Sequence, residues 1–247
     1  MTGKGGPARG AKTKPDDPGN EEGTEDMQDR TQRVRRTYGG WIALALGLAA
    51  APVLLAKPAA AQDSSCVSHA VEAERKFNIP SGLLVAIALV ESGQDGAPTP
   101  FAMSVEGRPV YARNANDAAR HLRDKRGQLR QNVYVGCMQI SLGTHRGEFQ
   151  PVERIVDPRE NVNYAGRLLL RLHGEQGSWK TAVARYNGGS TRQAQNYVCK
   201  IWQHLNELDP KSAKLLESAR CGDSEPASIA PSTRRTFRNA QQVASLD

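Results

Sequence analysis

Apolar positions recur along this chain with two different periods, and the change from one to the other organises it. From Ser64 or Ser65, which can cap a first turn, Cys66, Ala70, Ala73 and Phe77 fall on one face at helical spacing. This predicts a helix through about Phe77, stopped by Asn78-Ile79-Pro80. Pro80 suits the first turn of a second helix, in which Leu83, Leu84, Ala86, Ile87, Ala88, Leu89 and Val90 are apolar nearly all round. That helix is expected to be buried and to end at Glu91-Ser92-Gly93. Between Gly96 and Tyr111 the period shortens: Phe101, Met103 and Val105 alternate with smaller or polar residues, Glu106-Gly107 offers a turn, and Val110 and Tyr111 follow. This reads as a small hairpin whose second strand is weakened by Pro109.

Beyond Tyr111 the helical period returns. A polar helix is expected from Asn116 to about Arg126, followed by the apolar segment Val133 to Ser141. Asp157-Pro158-Arg159-Glu160 has the form of a capping box and opens an amphipathic helix through Leu172. Ser178 caps another that ends at Asn187-Gly188-Gly189, and a further helix spans about Thr191 to Leu208. A short helix is expected around Ser212 to Ala219, then a polar tail from Gly222. The chain has no internal repeat, and its expected class is mainly α with one small β-hairpin insertion.

The first 36 residues lack apolar periodicity and are crowded with Gly, Pro, Lys, Asp and Glu, so they cannot bury enough surface to offset ordering entropy. A start at Met27 would give a more usual leader than one at Met1. Arg33, Arg35 and Arg36 precede an apolar run from Trp41 to Ala56, and Ala59-Ala60-Ala61 follows. This is the pattern of a secretory signal peptide cleaved after Ala61. At 16 residues, interrupted by Pro52, the run falls short of a spanning helix. If it is not cleaved, it anchors the chain in the membrane; Arg35-Arg36 fits a twin-arginine signal poorly. The expected organisation is a disordered segment over 1–36, a signal region over 37–61, one catalytic domain over 62–209, and a short helix with a polar tail over 210–247.

A formal charge of +7 suits an anionic partner, and the bias survives removal of the leader: residues 62–247 carry 24 Lys and Arg against 19 Asp and Glu, a net of +5. The leader, and the lack of clustered basic-aromatic patterning, argue against nucleic acid. Cys66, Cys137, Cys199 and Cys221 all lie beyond the leader, and an even number in an exported chain predicts at least one disulfide, with Cys199 tied to Cys66 or Cys221. Cys137, inside an apolar stretch, reads equally as a small buried residue. No Cys or His spacing of a zinc site occurs, and neither metal nor cofactor is expected.

Glu91 is the strongest chemical clue, because a carboxylate closing an almost wholly apolar helix would be costly to bury ionised. Burial would raise its pKa and let it serve as a general acid near neutral pH; the alternative is a helix-terminal Glu facing solvent. Two further motifs change the balance. Glu91-Ser92 behind Ala86-Ile87-Ala88-Leu89-Val90, then Gly136-Cys137-Met138-Gln139-Ile140, then Ala184-Arg185-Tyr186-Asn187-Gly188-Gly189 resemble, in order, the three signatures of SLT-domain lytic transglycosylases. The resemblance covers roughly residues 64 to 205 and implies a goose-lysozyme-like fold.

It also implies a role for each matched residue. Glu91 would act as acid and then base, Gln139 would bond a sugar, Tyr186 would aim its hydroxyl at the catalytic carboxyl, and Asn187 would hold the turn. Met138 would line the groove or fill the core, Ser92 would fix the helix end, and Asn161 would be structural. The chain departs from the usual pattern in the separation of 48 positions from Glu91 to Gln139, an insert that resembles a subgroup with the GCMQI form, and in Arg185, which lengthens the tyrosine motif.

A glycosidase normally uses two carboxyl groups, and no second motif carboxylate accompanies Glu91; Asp95 is the nearest, in a Gly-rich turn. The expected reaction is therefore cleavage of the MurNAc–GlcNAc bond of peptidoglycan with formation of a 1,6-anhydromuramyl end, in the periplasm. The compact catalytic domain resembles the specialised enzymes that open the wall for a flagellum, pilus or secretion apparatus. The alternatives are a hydrolytic muramidase and a non-catalytic peptidoglycan-binding assembly protein.

Overall fold

In the computed structural model the described residues are 65–188, 191–217, 221 and 228–244. The leader expected over 37–61, and the segment before it, lie outside them. Among the described residues no helix is long and apolar enough to cross a membrane.

Helix α1 (Cys66–Lys76) is capped by Ser65, whose side chain accepts the Ser68 N–H. Its buried face carries Cys66, Ala70 and Ala73 as the spacing predicts, and also Glu74, which is only 3% exposed. The Glu74 carboxyl accepts the backbone N–H groups of Gly82 at 2.8 Å, Leu84 at 2.7 Å and Val85 at 3.2 Å. Burial pushes its pKa up to about 8 against the pull of those donors. The arrangement explains why helix α2 (Leu83–Ser92) begins later than Pro80: residues 80–82 form a turn, Gly82 takes φ 81° as the N-cap, and Glu74 fills the place of a capping side chain. Leu83 through Leu89 are all buried, so α2 is the apolar axis of the domain.

Two small sheets follow. Strands β1 (Gly93–Gln94) and β2 (Ala97–Pro98) form a tight hairpin around Asp95-Gly96. Strands β3 (Ala102–Val105) and β4 (Arg108–Tyr111) form the hairpin expected from the alternation, turning at Glu106-Gly107. Pro109 is accommodated because β4 is an edge strand. The sheet is larger than the hairpin alone, since β5 (Val133–Val135) pairs with β3 and β6 (Ile140–Ser141) pairs with β5, in the order β4-β3-β5-β6. Met103, Val133, Val135 and Ile140 turn to the core, while Ala102, Ser104, Pro109, Tyr111 and Tyr134 share the other face by register.

Helix α3 (Ala115–Arg120) is shorter than expected. It ends at His121 because Asp124 takes the Arg126 and Gln128 N–H groups into a turn closed by the Arg123–Leu129 bridge. Helix α4 (Leu142–His145) and two 3₁₀ turns lead to α5 (Pro158–Gln176), which Asp157 caps as predicted and which runs on to Gly177 at φ 76°. Helix α6 (Trp179–Asn187) is capped by Ser178, and α7 (Thr191–Leu208) returns across α2. A short α8 (Pro210–Ala213) continues into a 3₁₀ turn over Lys214–Leu216.

The C-terminal region corrects the expectation of a polar tail. Residues Pro231–Ala244 form helix α9, which packs on α1 and buries Thr233 and Phe237. Just before it Ala230 donates its N–H to Gly96 O at 2.9 Å, and the Thr233 hydroxyl meets the same carbonyl at 3.0 Å. The catalytic domain expected to close at 209 thus has a further element packed on its first helix. Two disulfides are present: Cys199–Cys221, one of the pairings anticipated, and Cys66–Cys137, so Cys137 is bonded rather than merely buried.

Candidate active site

Helix α2 presents Glu91 in its last turn, and the chain leaves at once. A Cβ at Gly93 would lie 2.1 Å from the Leu89 carbonyl oxygen, so glycine alone fits there. Ser92 is buried with its hydroxyl donated to Ala88 O at 3.1 Å and Cys137 O at 2.9 Å, which fixes the helix end to the Gly136–Ile140 loop. Glu91 itself is half-buried. Burial pushes its pKa up to about 7, and the hydroxyl of Tyr197, donated to Glu91 Oε1 at 2.6 Å, works in the opposite direction.

That tyrosine was not singled out in the sequence. Tyr186, expected to aim at the carboxyl, donates its hydroxyl to Met138 O at 3.0 Å instead. Burial and then the nearby Glu91 charge hold the Tyr186 phenol well above its ordinary pKa, so it remains a neutral donor beside the carboxyl.

The loop between β5 and β6 is held from three sides. Ser92 and Tyr186 take the carbonyls of Cys137 and Met138, and Asn161 of α5 accepts the Met138 N–H at 3.0 Å while donating to Val135 O and Ile155 O. Gly136 adopts φ 78°, and a Cβ there would meet the Asn161 side chain at 2.9 Å, which accounts for the glycine of the motif. Asn161 is structural, as expected. Met138 is fully buried in the core, so of its two expected places the structure supports the core and not the groove.

Gln139 has φ 46°, a left-handed backbone, and its Nε2 donates to Ala102 O and Gly136 O, both at 3.0 Å. With both amide hydrogens committed, its Oε1 is the atom left to accept from a ligand. Glu91, Ser104, Pro109, Tyr111 and Gln139 line one cavity of about 200 Å³ between the end of α2 and the outer face of the sheet. Tyr111 is 55% exposed there, with Tyr134 at 43% on the same sheet face, and such exposed rings offer apolar platforms for a sugar. Asn187 ends α6 with an exposed side chain before Gly188 in the left-handed region, and it is not among the residues lining the cavity. Asp95 lies exposed in the β1–β2 turn, and it too is absent from the lining. Among the described residues no cluster of His, Cys, Asp or Glu could hold a metal ion.

No curated protein and no solved structure matches the chain. The family model of the Transglycosylase SLT domain matches residues 68–198, a span that opens in α1, includes the whole sheet and the loop of Gln139, and closes just past Tyr197. The carboxyl at the end of a buried helix, the loop tied down beside it and the tyrosine reaching it from α7 all fall within that match, and the chain belongs to the SLT-domain lytic transglycosylases, whose members degrade peptidoglycan.

Proposed function

We propose that this protein cleaves the β-1,4 bond between N-acetylmuramic acid and N-acetylglucosamine with Glu91 as its only catalytic carboxyl, leaving a 1,6-anhydromuramyl end. The observation that carries this reading is that Glu91 is the only carboxyl among the described residues lining the cavity. A hydrolytic glycosidase normally uses a second one, as nucleophile or as base for water.

Glu91, with its pKa near 7, starts protonated and gives its proton to the glycosidic oxygen as the bond to the muramyl C1 breaks. The substrate's N-acetyl oxygen supports the developing positive charge at C1. The ionised Glu91 then takes the proton of the muramyl C6 hydroxyl while that oxygen bonds to C1, so the carboxyl is restored and no water is consumed. Tyr197 steadies the ionised form between the two steps. Gln139 Oε1 accepts from a sugar hydroxyl, and Tyr111 stacks on a ring of the strand. The same reading puts the enzyme in the periplasm, where peptidoglycan lies and where disulfides persist.

The test is mass spectrometry of the products released from unreduced sacculi. Anhydromuramyl ends as the main product support the reading. Reducing ends, heavier by one water per cleavage, would make the protein a muramidase, and absence of any cleavage would favour a peptidoglycan-binding assembly role.

A further inference from the structure

Helix α7 continues past Tyr197 with Lys200, Gln203 and His204, and these three residues lie beyond the end of the family match at 198. With Gly93, Gly96 and Ser228 they line a second cavity of about 350 Å³, walled otherwise by Leu89 and Val90 of α2. Gly93 borders this cavity and the Glu91 cavity alike, so the two meet at the residue where the chain leaves α2. Gly96, on its rim, is the carbonyl to which the C-terminal segment is fastened through Ala230 and Thr233.

The two cavities differ in chemistry. The first offers Tyr111 and a sheet face for a sugar ring; the second has no Phe, Tyr or Trp and offers an ammonium, a carboxamide and an imidazole. The Nδ1 of His204 is buried without a hydrogen-bond partner among the described residues, an arrangement that disfavours a proton there and leaves Nε2–H as the donor of a neutral ring. Burial pulls the His204 pKa down in agreement. A lysine, an amide and a neutral N–H donor suit an extended anionic chain rich in amide groups. A glycan strand carries such a chain beside the scissile bond, as the peptide on the lactyl group of each muramyl residue.

Resting on the reading of Glu91 above, we propose that this second cavity receives the peptide arm of the muramyl residue next to the cleaved bond, with Lys200 pairing a peptide carboxylate and Gln203 bonding its amides. The enzyme then selects peptide-bearing strands over bare ones.

The experiment uses the full chain and two substrates, glycan strands with their peptides and the same strands stripped by an amidase. The expected ratio of kcat/KM between them is about tenfold in favour of the peptide-bearing strands, the size of one charge-assisted contact. Lys200→Ala and Gln203→Ala bring the ratio toward one, and Lys200→Arg restores it. A wild-type ratio near one, or variants that keep the ratio, would overturn the proposal. In parallel, N-acetylmuramyl-L-alanyl-D-glutamate and N-acetylmuramic acid are titrated into the protein by NMR. Tighter binding of the peptide-bearing probe, with shifts at Gly93 and His204 that Lys200→Ala removes, supports the cavity even if no strand is cleaved. Equal binding of the two probes removes it even if cleavage is normal.

Discussion

The hydroxyl of Tyr197 donates to Glu91 Oε1 at 2.6 Å, joining α7 to the end of α2 where the Glu91 carboxyl leaves the apolar helix. A donor to a carboxyl favours its ionised form, so Tyr197 holds the Glu91 pKa below the value that burial alone would set. Tyr197→Phe keeps the ring and removes the donor. The expected result is a basic limb of the pH–rate profile displaced upward by about one pH unit, as loss of a hydrogen bond to a charged group implies. Steady-state kinetics across pH 5 to pH 9, on the order of that range, checks it; a limb that stays in place or moves down would refute the assignment.

Glu91→Gln removes the proton donor at nearly constant size. Activity is expected to fall by about 10²-fold or more, the usual worth of a positioned acid. Stability should respond in the opposite sense. The folded carboxyl has its pKa raised from 4.5 to about 7, so the folded state holds more protons than the unfolded state across that window and loses stability as pH rises through it. Gln does not ionise and escapes this loss. The variant should therefore gain on wild type between acidic and mildly basic pH, by up to about 3 kcal/mol. Thermal melts at the two ends of the window read this, and a difference in Tm independent of pH would contradict a buried, shifted carboxyl.

What the sequence disclosed and what it hid follow from the range of the interactions. The capping of α5 by Asp157, the turn at Glu106-Gly107 and the buried run of α2 each depend on a few adjacent residues, and each is legible. Glu74 was also within reach, since it lies four positions after Ala70 on the buried face of α1, but a carboxyl on an apolar stripe announces nothing until its N–H partners are known. Strands β5 and β6 are too short to show alternation and are set by pairing with distant β3. Which tyrosine meets Glu91 is a matter of how α6 and α7 pack, with 106 positions between the hydroxyl and its acceptor. Helix α9 keeps a helical spacing but hid because polar residues dominate the stretch and its buried side includes the polar Thr233 beside Phe237.

Helix α9 offers a direct test. Phe237 is 4% exposed and stands near Gly82, where α2 begins, and Thr233 is bonded to the β1–β2 turn. Phe237→Ala should cost about 3 kcal/mol, as for an aromatic side chain removed from a core. Removing residues 231–247 should lower the Tm further and raise hydrogen exchange in α1 and around Gly96. A truncated chain with wild-type stability and exchange would show that the segment is a tail after all.

The two disulfides should separate by function. Cys66–Cys137 closes a sequence separation of 71 and Cys199–Cys221 one of 22, so loop-closure entropy makes the first worth roughly 4 kcal/mol and the second roughly 3 kcal/mol. The larger difference is positional. Cys137 directly precedes Met138 and Gln139, and its carbonyl accepts the Ser92 hydroxyl, so the first bridge ties α1 to the loop that faces Glu91. The second joins α7 to a residue past α8, away from the Glu91 cavity. Replacing Cys66 and Cys137 by Ser should therefore lower kcat as well as Tm, because the loop carrying Gln139 loses one of its anchors. Replacing Cys199 and Cys221 should lower Tm with a smaller change in kcat. Equal losses of kcat in the two double variants, measured well below their melting temperatures, would show that the first bridge stabilises the fold without positioning the site.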